Sequence, residues 1–272
     1  MAISPVASTS SVLSSIQVNS AQVDTNWRNL STGRSVNSVT DNAQSFVLAQ
    51  GLLDRASSLA GVGSEIGQGI GALQTANDGL SAIGSVVNQL KAVTQQAQST
   101  SDPTQLSTLQ SQYNTLRGQI DSLAADSSYG GVNLISANPG AVNISSAGSG
   151  AGTTVSGAAS DSASLGISAA GNWGAAGSTL QSDAANLDAA TQTLRSQAAD
   201  LGSNITLLQT QASFVQGQGA IASQGASQLT GTDPYAAAAN VVAADTYRQL
   251  GYAALRNSAQ TQEAVLGLFT HR

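Results

Sequence analysis

The chain has 272 residues, of which 9% are charged and 4% aromatic, with a formal net charge of −6 and no cysteine. Nine basic residues scattered singly exclude a nucleic-acid binder, which needs clustered Lys and Arg, and the missing thiols exclude disulfides and thiolate metal sites. No run of roughly 20 apolar residues could cross a membrane, so charge this scarce points to a subunit that hides much of its surface against copies of itself.

The opening Met-Ala-Ile-Ser-Pro has no basic stretch followed by an apolar one, so no cleaved secretory signal is expected. From about 6 to 32, Val12, Ile16, Val23, Trp27 and Leu30 recur at spacings of three, four and seven and predict a helix with one apolar stripe. Gly33 suits its C-terminal cap, and a polar break runs through Asp41 and Asn42.

A heptad repeat follows. Leu52, Leu59, Ile66, Leu73, Leu80 and Val87 are seven apart, with Val62, Gly69, Ala76, Ile83, Leu90 and Ala97 as the companion series. This predicts a helix over about 44–100, on the order of 85 Å long at ~1.5 Å per residue, which cannot bury its stripe alone. Pro103 ends it. Leu106, Leu109, Tyr113, Leu116, Ile120 and Leu123 predict a second helix folding back on the first across Ser99–Pro103.

The segment 127–178 is rich in Gly, Ser and Ala. Tyr129-Gly130-Gly131-Val132 and Val142-Asn143-Ile144 read as short strands or hairpins, with a disordered linker as the lesser alternative for 145–164. Heptads then resume at Leu180, Leu187, Leu194, Leu201, Leu208 and Val215, with Ala184, Ala198, Ile205 and Ala212 beside them and Thr191 the polar exception. The three heptad helices together make a bundle. Thr232-Asp233-Pro234 places a capping carboxylate before Pro at the first helical position and starts a last helix to about Phe269.

Seven glycines lie between Gly61 and Gly84, inside the long helix. Each costs about 0.5–1 kcal/mol relative to Ala. They read either as a weak, kinked helix or as points of close backbone approach within or between subunits. On the second reading, Gly67→Leu blocks assembly more than it harms the fold.

No constellation for catalysis emerges. His271 is the single histidine, so no Ser–His–Asp triad, Cys–His pair or HExxH zinc site can be built. Gly67-Gln68-Gly69-Ile70-Gly71 lies in mid-heptad with no strand before it, which argues against a phosphate loop. The 15 acids are spread thinly. Trp27 reads as core or interface, and Trp173 as an anchor of the Gly-rich segment. Asn29, Asn143 and Asn204 match the spacing for N-glycosylation, a pattern frequent by chance.

Leu30-Ser-Thr-Gly-Arg-Ser-Val-Asn-Ser38 followed by Asp41-Asn42-Ala43 resembles the bacterial flagellin N-terminal signature. Asp121 to Ile135 is similar to the flagellin segment where a helix ends and a first strand begins, with Tyr129 and Gly130 departing from its wording. Ala238-Ala239-Asn240, Ala253-Ala254-Leu255, Gln260 and Val265-Leu266-Gly267-Leu268 match the flagellin C-terminal pattern in order and spacing. The likeness covers about 1–135 and 180–270.

The resemblance implies a mainly α chain, a long antiparallel helical bundle or coiled coil with a small β-hairpin element. It implies an inner filament-core domain of paired terminal helices from 1–43 and 230–272. An outer bundle would span 44–229, with 127–178 facing outward and without the large outer domains of many flagellins. The core interface would comprise Val12, Ile16, Val23, Trp27, Leu30, Leu250, Leu255, Val265, Leu266, Leu268 and Phe269. The bundle seam would comprise Leu52, Leu59, Ile66, Leu73, Leu80, Val87, Leu187, Leu194, Leu201 and Leu208. The implied function is a non-enzymatic structural subunit, without cofactor or metal, that self-assembles into the extracellular flagellar filament for swimming motility. The implied partners are further copies of itself, the flagellar cap, junction proteins, an export chaperone and the type III export apparatus, with no nucleic acid and no membrane insertion. Lys91 alone supplies charge in the core of the segment matching the one that an animal innate-immune receptor reads, which implies poor recognition. The alternative is a hook–filament junction protein. A rod-borne adhesin would need a larger middle domain, and a cytosolic scaffold would need charged flanking heptad positions.

Overall fold

The computed structural model describes residues 5–145, 152–174 and 179–270, with the side chains of the first helix from residue 10 and of the last helix to residue 264. Five helices carry most of the described chain: α1 (Pro5–Thr32), α2 (Ala43–Gln98), α3 (Pro103–Asp126), α4 (Leu180–Thr230) and α5 (Pro234–Thr270). Two antiparallel hairpins stand between α3 and α4: β1 (Ser128–Tyr129) with β2 (Val132–Asn133), and β3 (Ala141–Ile144) with β4 (Thr153–Ser156). The mainly helical class with a small hairpin element is therefore observed.

The helix starts have local causes. Asn42 accepts from the Ser45 amide at 3.0 Å and opens α2. Asp102 accepts from the Thr104 amide at 3.0 Å, with Pro103 at the first helical position of α3. Asp233 accepts from the Tyr235 amide at 2.9 Å, with Pro234 just inside α5. Each cap satisfies an amide that the helix itself leaves unpaired.

The chain divides into two compact units, one from residues 1–54 with 221–272 and one from residues 55–220. The second unit holds the large apolar core. Leu59, Ile66, Leu73, Leu80 and Val87 of α2 are buried there with Leu187, Leu194, Leu201 and Leu208 of α4, and Tyr113 and Ile120 of α3 join them. Leu52, in the first unit, is half-buried.

The Gly- and Ser-rich segment is ordered wherever it is described. Gly130 and Gly131 turn the first hairpin with φ of +58° and +85°, the two-residue turn whose twist matches its strands and which glycine adopts without strain. Asn133 donates to the Ala124 and Ala125 carbonyls at 2.8 and 2.9 Å and accepts from the Ile135 and Ser136 amides at 2.9 Å. It thus satisfies carbonyls that the end of α3 leaves open. β3 pairs with β4 from Ala141 opposite Ser156 to Ile144 opposite Thr153. Within 152–164 the strand is confined to Thr153–Ser156, and 157–164 follow as irregular chain and turn; residues 146–151 and 175–178 lie outside the described residues.

α3 supplies the hydrogen bonds that the later part of this segment lacks. Gln110 donates to the Ala170 carbonyl, Arg117 to the Ile167 carbonyl, Asn114 accepts from the Ala170 amide, and Asp121 accepts from the Ser162 amide. Trp173 anchors the segment as expected. It is buried, its ring meets Tyr113 edge-on at 5.3 Å, and its Nε1 donates to Asp183 at 2.8 Å. Burial and the nearby Asp183 charge push the Tyr113 hydroxyl up to about 12, so it stays protonated.

The glycines of α2 fall into two groups. A Cβ on Gly69 would lie 2.9 Å from Val142 Cγ1, one on Gly71 2.8 Å from the Tyr129 ring, and one on Gly79 2.7 Å from Ile135 Cδ1. These three make the trough that seats the hairpin region. Gly61, Gly63, Gly67 and Gly84 have nothing within 4 Å of such a Cβ. Close approach within the chain thus accounts for three of the seven, and α2 runs unbroken through all of them.

Candidate functional site: the paired terminal helices

In the first unit, α1 packs along α5. Two contacts fix their geometry. Ile16 seats on Gly251, where a Cβ would lie 2.8 Å from Ile16 Cγ1. Asn26 donates from Nδ2 to the Asn240 carbonyl at 3.2 Å. Higher numbers on one helix meet lower numbers on the other, so the pair is antiparallel. Stepping forward on α1 and back on α5 from Ile16 and Gly251 sets Val23 opposite Ala244 and Leu30 opposite Ala237. The companion layers are Val12 with Leu255, Asn19 with Arg248, and Asn26 with Val241. All twelve positions are buried or half-buried. Their alternating three- and four-residue spacing makes the pair a two-helix seam of coiled-coil type.

The base of the pair is tied loop to loop. Gly33 has a φ of +67° and ends α1, a left-handed position that glycine takes without strain. The Ser35 and Val36 amides donate to the Thr230 carbonyl at 2.7 and 3.3 Å, and the Thr232 amide donates to the Gly33 carbonyl at 3.1 Å. Asn37 donates to Asn29 Oδ1 and to the Arg34 carbonyl. Asp41 accepts from the Asn37 and Ser38 amides at 2.9 Å and from the Ser38 hydroxyl at 3.1 Å. The Asn37 amide, followed by the Ser38 hydroxyl, holds the Asp41 carboxyl below its ordinary value of 3.8.

Of the residues expected at a core interface, Val12, Ile16, Val23, Leu30 and Leu255 lie on this seam, with Ile16 and Val23 buried. Trp27 and Leu250 do not. They are 55% and 59% exposed, and Leu13, Val18, Tyr235, Val242, Tyr247 and Tyr252 of the same two helices are exposed as well. The side chains of Val265, Leu266, Leu268 and Phe269 lie outside those described. Sequence reading missed Gly251 and Asn26. Gly251 was detectable because it continues Ala237 and Ala244 at intervals of seven; Asn26 was hidden because a lone Asn in a helix carries no partner signal.

The pair buries few large apolar side chains and exposes many, the inverse of the second unit. Exposed apolar side chains in this number make the pair a candidate interaction surface. Among the described residues no group of three His, Cys, Asp or Glu could hold a metal, and no helix is long and apolar enough to cross a membrane.

Comparison with known proteins gives two family matches. The model of the bacterial flagellin N-terminal helical region matches residues 3–139, and that of the bacterial flagellin C-terminal helical region matches residues 184–269. A search of curated proteins finds no match. Among solved structures, Bacillus cereus flagellin is similar at 22% identity and a TM-score of 0.47, over 54% of this chain and 86% of that one.

Proposed function

Because this chain belongs to the bacterial flagellin family, a family of structural proteins, we propose that it is the repeating subunit of the flagellar filament. The observation that supports this most is the set of exposed apolar side chains on α1 and α5. Leu13, Val18 and Trp27 on one helix and Val242, Tyr247 and Leu250 on the other present large side chains to solvent. Covering them with further copies supplies the hydrophobic term that the first unit lacks on its own.

In this reading residues 1–43 and 230–272 form the filament core, residues 44–229 form the shell around it, and 127–178 faces outward. The seam of Leu52 through Val87 with Leu187 through Leu208 holds the shell together. The subunit is exported by the flagellar type III apparatus, is kept apart by an export chaperone beforehand, and adds beneath a cap above the junction proteins. Its place is extracellular and its role is swimming motility.

The test is to add purified chain to short filament seeds and examine the product by electron microscopy. Continuous growth of filament-width tubes is expected. Binding of a few copies without elongation would instead identify a hook–filament junction protein, and absence of any assembly would defeat both readings.

A further inference from the structure

Between α2 and the hairpins the second unit holds an open cavity of about 570 Å³, within the roughly 300–1,000 Å³ typical of small-molecule sites. Glu65 and Gln68 line it from α2, Tyr129 and Val132 from the first hairpin, and Val142 and Asn143 from β3. Assembly through α1 and α5 makes no use of it. Local structure sets the lining groups in place. Gly130 and Gly131 close the turn that carries Tyr129, and the end of the Tyr129 ring rests on Gly71, where a Cβ would lie 2.8 Å from Cζ. Tyr129 is still 45% exposed, so the core does not consume its ring. Glu65 Oε2 accepts from the Ser145 amide at 2.8 Å, and Asn143 Oδ1 accepts from the Thr154 hydroxyl at 2.9 Å. These bonds orient both side chains without exhausting them. Glu65 keeps Oε1 as an acceptor, and Asn143 keeps its Nδ2 donors. Gln68, exposed on α2, adds an acceptor and two donors.

The lining decides the class of guest. It contains no Lys, Arg or His, and the Glu65 carboxylate repels a negative charge, so phosphates, nucleotides and carboxylic acids do not fit. A wholly apolar guest would cover donors and acceptors without pairing them, which is costly. An organic cation would need the carboxylate for itself, and the Ser145 amide already holds one of its oxygens. A saccharide meets both halves of the lining. Its hydroxyls donate and accept, and its C–H face suits an aromatic ring flanked by Val132 and Val142.

We propose that this cavity binds a neutral saccharide, with the Tyr129 ring against the C–H face of the sugar and Glu65, Gln68 and Asn143 hydrogen-bonded to its hydroxyls. Tyr129 and Gly130, both on the cavity wall, are also the positions where this segment departs from the flagellin wording, which sets the site apart from what the family shares.

The full-length unassembled chain is titrated with the methyl glycosides of glucose, galactose, mannose and N-acetylglucosamine and followed by saturation-transfer NMR. At least one is expected to bind at millimolar concentration. Tyr129→Ala, which removes the ring, is expected to weaken that binding at least several-fold. Because this variant also gives up the contact with Gly71, Gln68→Ala supplies a second reading. Its side chain is exposed, so helical content by circular dichroism should hold while binding again weakens several-fold. Ethylammonium is titrated as the cationic alternative. Binding of none of the glycosides, binding unaltered in both variants, or displacement of the bound glycoside by ethylammonium overturns the proposal. The measurement is made on unassembled protein, so its outcome is independent of whether the chain polymerises.

Discussion

At the scale of single residues, conformation and hydrogen bonding decide most outcomes. Asp41 shows the pH consequence. Its carboxyl is held below 3.8 by amides of the loop it organises. A depressed pKa contributes stability that is fully present above the unfolded value and is lost as the pH falls through the folded one. The amide chemical shifts of Asn37 and Ser38 should therefore hold constant above about pH 4 and move together below it; Asp41→Asn should abolish that step. The glycines of α2 offer a second contrast. Gly69→Leu drives a side chain into Val142 and Leu208 and should cost about 1–3 kcal/mol in urea unfolding. Gly67→Leu meets open space and should leave stability unchanged or raise it by up to about 1 kcal/mol. A loss of polymerisation in the Gly67 variant alone would mark that face as a subunit contact.

Among the elements, α2 and α4 are stabilised by what their heptads bury, not by charge. The ion pair Lys91–Asp188 at 2.8 Å is largely solvent-exposed on its acidic side and adds little. Leu73, fully buried in the seam, should cost about 2–5 kcal/mol when replaced by Ala, measured by the shift in urea midpoint at constant slope. The middle segment depends on a different kind of bond. Trp173→Phe keeps the ring on Tyr113 but removes the donor to Asp183, which retains Thr179 Oγ1 at 2.9 Å as its other partner. A loss of about 1–3 kcal/mol is expected, with faster hydrogen exchange at the Ile167 and Ala170 amides if the anchor holds that region.

For the whole molecule, the two units differ in how far each satisfies itself. The unit of residues 55–220 buries its large apolar side chains internally, whereas the unit of terminal helices leaves Trp27, Tyr235 and Leu250 in solvent. Replacing Trp27 and Leu250 together by Ser should therefore change unfolding of the isolated chain by no more than about 0.5 kcal/mol. The amount of pelletable polymer should fall sharply; undiminished polymer would remove this surface from the assembly.

The sequence by itself determined the helices, the caps at Gly33 and Asp233 and the heptad faces that α2 and α4 bury. Periodicity of three and four residues over dozens of positions is a local signal, and Asp233-Pro234 or Leu59 to Val87 express it without reference to any distant residue. It could not separate ordered hairpin from linker across 145–164, because Gly and Ser carry no apolar pattern. The later part of the segment, at Ser162, Ile167 and Ala170, is held by Gln110, Asn114, Arg117 and Asp121 of α3, some 40 to 60 positions away in the chain. Nor could it tell the glycines that seat the hairpin from those facing solvent, or divide the stripe of α1 into a buried seam and an exposed flank at Trp27. Those distinctions depend on which atoms lie across the gap, and only the tertiary structure decided them.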